Sequence, residues 1–151
     1  MRIVVQEAAF DAGDETRAFT QASGRSRAGA IVTFTGVVRD IPDDPLEAME
    51  IEHYPGMTEA ALTEMAETAK ARFSLGDVLI IHRFGCMVPG DLIMMVATAA
   101  PHRKDAFAGA DYLMDYLKSR APFWKREITA TGANWVSSKA EDEEALGNWQ
   151  A

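Results

Sequence analysis

A single cysteine, Cys86, is all the thiol chemistry available in 151 residues. One thiol excludes an intrachain disulfide and a multi-cysteine metal cluster, and three scattered histidines supply no ligand spacing, so neither a metal nor a cofactor is expected. Cys86 itself is expected to be a buried thiol. Long hydrophobic runs are missing too: the apolar stretch from Leu92 to Pro101 is far short of the roughly 20 residues that cross a bilayer. The residues after Arg2 turn acidic too early for a signal peptide, and a cytoplasmic protein without membrane contacts is expected. Basic residues are scarce, 15 Lys and Arg against 23 Asp and Glu, for a net charge of −8. That balance argues against nucleic acid as a partner, because such binding depends on neutralising phosphates. Phosphate loops of the GxxxxGK and GxGxxG types are absent, which leaves nucleotide hydrolysis and dinucleotide binding without support.

What is present is the composition of a packed domain, 48% hydrophobic and 25% charged, with no repeat and no linker long enough to divide it. Arg2 to Gln6 reads as a strand and Asp14 to Ala22 as a helix with Ala18 and Phe19 inward. Gly29 to Val38, apolar on both faces, reads as a central strand kinked or bulged at Gly36. After the turn chemistry of residues 40–45, Glu47 to Tyr54 alternates as a half-exposed strand. Thr58 is placed to cap a helix whose apolar positions are Leu62, Met65, Ala66, Ala69 and Phe73. Val78 to Arg83 and Leu92 to Ala99 read as buried strands, and a second long helix carries Phe107, Ala110, Met114 and Leu117 before Pro122 stops it. Glu127 to Thr131 and Asn134 to Val136 read as closing strands. The expected architecture is α+β, one domain over 1–138 with about three helices and a mostly antiparallel sheet in the order β-α-β-β-α-β-β-α-β. Residues 139–151 form an acidic stretch that is expected to be mobile.

Charge is unevenly placed. From Pro101 to Glu127 six Lys and Arg face four acids, a locally basic segment on an acidic chain, which suits a small anionic ligand. Within it, Pro101-His102-Arg103-Lys104 marks a strand-to-helix junction where backbone N–H groups and basic side chains converge. Lys118 and Lys125 flank the helix stop at Ala121-Pro122, so their amines converge if the chain reverses there, with Phe123-Trp124 as its anchor. A lysine whose pKa is lowered by burial or by a second cation can donate a proton or attack a carbonyl. Arg39, at a strand exit, can grip a phosphate or carboxylate with its fork. His53 and Tyr54 are read as structural, since strand neighbours point to opposite faces, and His82 as a satisfied core or edge histidine. Met87, Met94 and Met95 are read as core filling.

Five blocks in order then resemble the family of the large, catalytic subunit of molybdopterin synthase: Gly29-Ala-Ile-Val-Thr-Phe-Thr-Gly-Val-Val-Arg39, Glu52-His-Tyr-Pro-Gly-Met57, His82-Arg-Phe-Gly85 with Pro89-Gly90, Pro101-His-Arg103 through Ala106-Phe107, and Asp115-Tyr-Leu-Lys118 leading to Ala121-Pro-Phe-Trp-Lys125. The resemblance implies conversion of cyclic pyranopterin monophosphate to molybdopterin by transfer of two sulfurs. It further implies a donor, a small ubiquitin-like subunit with a thiocarboxylate on its C-terminal Gly-Gly, and a heterotetramer around a homodimer of this chain. On the same ground Lys118 is the principal catalytic amine, as proton donor or acyl acceptor, and Lys125 positions substrate and stabilises negative charge. Arg39, His102 and Arg103 bind phosphate or pterin, the last two within one chain or across the dimer, and Phe34 and Met114 form an apolar wall. The 40–45 loop, Asp-Ile-Pro-Asp-Asp-Pro, departs from the family's Asn/Gly-rich character, and Lys139 stands where an Arg reaching the neighbouring site is expected. Two other readings of the residues compete: a non-catalytic docking protein for a ubiquitin-like tail, and an anion-binding metabolite sensor needing neither donor nor lysines.

Overall fold

Segments with a two-residue hydrophobic period become strands and those with helical spacing become helices, in a computed structural model that describes residues 1–136 and 140–150. In chain order these are β1 (Arg2–Gln6), α1 (Ala12–Ser23), β2 (Ala30–Val37), β3 (Leu46–His53), α2 (Met57–Arg72), β4 (Asp77–Arg83), β5 (Gly85–Met87), β6 (Leu92–Ala100), α3 (Arg103–Ser119), β7 (Phe123–Thr129), β8 (Gly132–Val136) and α4 (Ala140–Gly147). The strands form two four-stranded sheets. One runs β1-β4-β6-β2 and is antiparallel except for the β1/β4 pair; the other runs β5-β3-β7-β8 and is antiparallel throughout. The expected α+β, mostly antiparallel architecture is what forms, with four helices rather than about three.

The first sheet is apolar on both sides because both sides are covered. Val78 and Ile80 of β4 pack in one cluster with Leu62, Ala66 and Ala69 of α2 and Leu113 of α3. Leu79 and Ile81, on the opposite face, pack with Phe19 of α1 and with Met95, Ala97 and Ala99 of β6. Asp11 starts α1 by accepting from the Asp14 N–H at 2.8 Å. Among the described residues β2 pairs only with β6 and is an edge strand rather than a central one; its outer stretch leaves Phe34 and Val37 exposed, and the Gly36 irregularity appears as a register shift between Gly36 and Val37.

Several local expectations are corrected. Thr58 does not cap α2. The Gly56 N–H donates instead to the Glu59 carboxylate at 2.6 Å, while the Thr58 hydroxyl accepts from Tyr54 N–H and donates to the Pro122 carbonyl. Thr58 thus ties the start of α2 to the chain reversal before β7. On α3 the inward face is Ala106, Gly109, Ala110 and Leu113, and Phe107 is exposed, because the helix rests on the sheet through its small residues. Ala18 likewise faces outward while Phe19 is buried. Cys86 is exposed: on the three-residue strand β5 the side chains alternate, and it is Met87 that turns inward. The acidic stretch expected to be mobile contains α4, whose Leu146 is buried and which is followed by Trp149, packed edge-on against Phe73 and Tyr112 and donating from Nε1 to Asp115 at 2.6 Å. A bidentate Arg120–Glu143 pair at 2.9 and 3.0 Å holds the same helix. No helix among the described residues is long and apolar enough to cross a membrane.

Gly29 opens β2 where two backbones meet. Its N–H donates to Ala100 at 2.9 Å, and a Cβ there would lie 2.4 Å from the Pro101 carbonyl oxygen. Gly29→Ala is expected to cost about 1–3 kcal/mol, because the clash is with backbone and must push the Pro101–Arg103 turn away. Denaturant unfolding of the variant measures this; an unchanged midpoint would show that the turn gives way freely.

Candidate active site

The carboxyl end of α3, the start of β7 and the exit of β2 enclose a cavity of about 620 Å³. Its lining includes Phe34 and Arg39 from β2 and its exit, Met114 and Lys118 from α3, Lys125 and Glu127 from β7, and His82 from β4. The two lysines meet because the helix ends where the sequence says it must. Arg120 N–H still reaches the Tyr116 carbonyl, Pro122 ends the helix, and the chain turns into β7 at Phe123. The strand begins four residues earlier than the sequence pattern suggested. Phe123, Lys125 and Glu127 therefore alternate onto one face of β7, with Trp124 and Arg126 on the other. Arg126 reaches across to Glu50 at 2.6 Å and so leaves the cavity.

Lys118 is exposed at the last turn of α3, and Lys125 is half-buried. Burial lowers the pKa of Lys125 first, the Lys118 ammonium lowers it further, and the Asp142 carboxylate of α4 partly opposes them. One amine thus gives up its proton more readily than an ordinary lysine, because of its burial and of the other amine. The 40–45 loop that departs from the family's Asn/Gly-rich character is held in place: Asp40 accepts from Ile41 N–H at 2.8 Å and Leu46 N–H at 2.7 Å, and Asp40, Ile41 and Pro42 form part of the rim.

His102 and Arg103 are not in this cavity. They sit exposed at the opposite end of α3, and fifteen helical residues at 1.5 Å each separate Arg103 from Lys118 by roughly 22 Å. Lys139 lies outside the described residues. His53 is structural, its ring 4.2 Å from Phe84 and its Nε2 4.0 Å from Glu59, and Tyr54 packs edge-on against Trp124. Met87, Met94 and Met95 are buried, with Met94 also on the cavity wall.

Glu127 and His82 line the cavity without being among the expected site residues. Glu127 was available from its two-residue spacing to Lys125, but that spacing has meaning only once β7 is known to begin at Phe123. His82 carries the signal of a polar residue inside a buried strand, which the sequence alone reads as a satisfied core or edge histidine. It is indeed buried, but on the cavity wall.

A half-apolar cavity bearing Arg39 and two amines, one with its pKa lowered by burial and by the other, defines a small α+β protein equipped to hold an anionic organic molecule and to move protons or acyl groups at it. Residues 5–120 match the family model described as MoaE protein, and the chain belongs to that family. It is 60% identical over 149 residues to a molybdopterin synthase catalytic subunit of Cereibacter sphaeroides, covering 99% of this chain and 100% of that protein. Among solved structures it superposes on the molybdopterin biosynthesis MoaE protein of Burkholderia ambifaria with a TM-score of 0.83 at 45% identity, covering 100% of this chain and 99% of that one. It also superposes on molybdopterin synthase of Staphylococcus aureus with a TM-score of 0.77 at 27% identity, covering 89% and 96%.

Proposed function

We propose that this chain is the catalytic subunit of a molybdopterin synthase, transferring sulfur to cyclic pyranopterin monophosphate from the C-terminal thiocarboxylate of a small ubiquitin-like subunit. The observation that carries the reading is the convergence of Arg39, Lys118 and Lys125 on one cavity whose apolar wall includes Phe34 and Met114. Substrate phosphate and donor thiocarboxylate are both anions, and all three cationic side chains are donors that can hold them. Lys118, exposed at the end of α3, is the amine within reach of an entering tail and serves as proton donor or acyl acceptor; Lys125, the more buried, stabilises charge that develops on the substrate. The word subunit in the relatives' names supports a partner protein, and the assembly we propose is a heterotetramer with two copies of this chain at its centre.

The test is reconstitution: this chain, a thiocarboxylated small subunit and the cyclic substrate, with molybdopterin read as its oxidised fluorescent derivative. Product that depends on the thiocarboxylate is expected; a stable two-protein complex that yields none would favour the docking-protein alternative. In the same assay Arg39→Ala should raise KM about tenfold or more with a smaller change in kcat, as loss of a charge-assisted contact to a bound anion does. Unaltered saturation would remove Arg39 from substrate binding.

With Arg103 so far from Lys118 in one chain, His102 and Arg103 are proposed to complete the cavity of the other copy in the homodimer. Mixing Lys118→Ala chains with His102→Ala chains separates the two arrangements. If the residues act across the dimer, each mixed dimer holds one intact site, and random mixing restores about a quarter of wild-type activity. If they act within one chain, no site is intact and nothing is restored.

A further inference from the structure

His82 is a cavity residue to which the reading above gives no task. It stands next to last in β4, opposite Met94 of β6, is only 5% exposed, and lies flat against Phe123, with ring centroids 3.7 Å apart and planes 17° from parallel. Its Nδ1 is 2.8 Å from the Arg83 carbonyl oxygen. A carbonyl only accepts, so Nδ1 carries the proton and Nε2 is left as a lone pair. Burial holds the group down to a pKa of about 3, against the Arg83 bond and with help from the nearby Lys125 and His53, so the imidazole is uncharged at neutral pH. The bond through Nδ1 is the one the ring makes among the described residues.

Of the other polar side chains lining the cavity, Arg39, Lys118 and Lys125 are cations that donate, Asp40 and Glu127 bring negative charge with their acceptor oxygens, and Thr35 brings a hydroxyl that both donates and accepts. The same lining also carries apolar side chains, Met49, Ile93 and Met94, the last directly across from His82 in the sheet. An uncharged acceptor locked in orientation on such a wall suits a neutral N–H on a flat heterocycle, and discriminates well, because a buried acceptor left unpaired is costly.

We propose that Nε2 of His82 accepts a hydrogen bond from a ring N–H of the pterin, fixing the orientation of the heterocycle while the cations hold its phosphate. The inference rests on the substrate reading given above. It assigns His82 to substrate recognition, as a neutral specificity contact distinct from the charge-bearing groups.

Two measurements test it. In the intact chain, the 15N resonance of His82 Nε2 should sit at the position of a bare neutral lone pair and shift toward that of a hydrogen-bonded one when cyclic pyranopterin monophosphate is added to saturation. In the reconstituted assay His82→Phe should raise KM about 3- to 10-fold with kcat within about threefold, the size of one lost neutral bond, and His82→Gln, which keeps an acceptor, should recover most of it. Thermal melting of both variants keeps a folding defect apart from a binding one. An Nε2 resonance unmoved at saturation overturns the proposal, as does a His82→Gln as impaired as His82→Phe. If the wild-type chain yields no product and binds no pterin, the substrate reading falls and the inference with it; if wild type is active and His82→Phe saturates normally, the inference alone falls.

Discussion

Lys118→Ala should lower turnover by about 10²- to 10⁴-fold while the chain folds normally and still binds its small subunit, the range expected when a positioned proton-transferring or nucleophilic group is removed. The expectation follows from where the residue sits. Lys118 is exposed in the last turn of α3, its side chain makes no hydrogen bond or ion pair among the described residues, and substitutions at such positions change stability by about 0.5 kcal/mol or less. Its loss therefore removes an amine from the cavity without loosening the fold. It also removes the cation that helps to lower the pKa of Lys125, so the remaining amine holds its proton more firmly and is a poorer substitute for Lys118. Turnover is measured with thiocarboxylated donor, and complex formation by sedimentation. Full complex with normal turnover would take Lys118 out of the mechanism; loss of the complex would make it a docking residue.

How much of this could be seen in the sequence depended on whether one segment decided the matter. The buried runs Val78 to Arg83 and Leu92 to Ala99 declared themselves, because a sheet covered on both sides needs uninterrupted apolar residues. So did the α2 stripe of Leu62, Ala66 and Ala69, which one helix face suffices to bury. Convergence of Lys118 and Lys125 was legible from the proline between them. Failures occurred where a distant partner decided. Phe107 fits the helical stripe of α3 yet points outward, since the closeness of Gly109 to Leu75 sets the rotation of that helix on the sheet. The acidic stretch of α4 reads as solvated until Leu146 and Trp149 find the apolar surface beside Tyr112. β7 was placed four residues late because its first half pairs with β3 and not with its sequence neighbour β8: Phe123 lies across from His53, and Lys125 is the first residue of β7 to face β8. That single displacement hid Glu127 and His82 as companions of the lysines.

Acid should weaken the fold in a manner traceable to His82. In the unfolded chain the imidazole titrates near its ordinary value of 6.5, whereas in the folded chain burial holds it to about 3. Between those values the unfolded state binds a proton that the folded state refuses, so stability rises with pH across this window and is lost on acidification, by about 1.4 kcal/mol per pH unit at the steepest. Above 6.5 both states are neutral and the effect vanishes. Urea unfolding of wild type and His82→Gln at several pH values isolates the group, since every carboxylate is common to both chains. The stability difference between them should change by about 2–3 kcal/mol between pH 6 and pH 4, in the direction that favours the glutamine chain in acid. Parallel pH curves would mean that the folded protein protonates His82 without opening. The location of the group ties this to function. The His82 ring is stacked flat on Phe123, and Phe123 begins the strand that carries Lys125. Loss of activity in acid should therefore coincide with cooperative unfolding, and it should move to lower pH in any variant that strengthens the packing of β4 against β7.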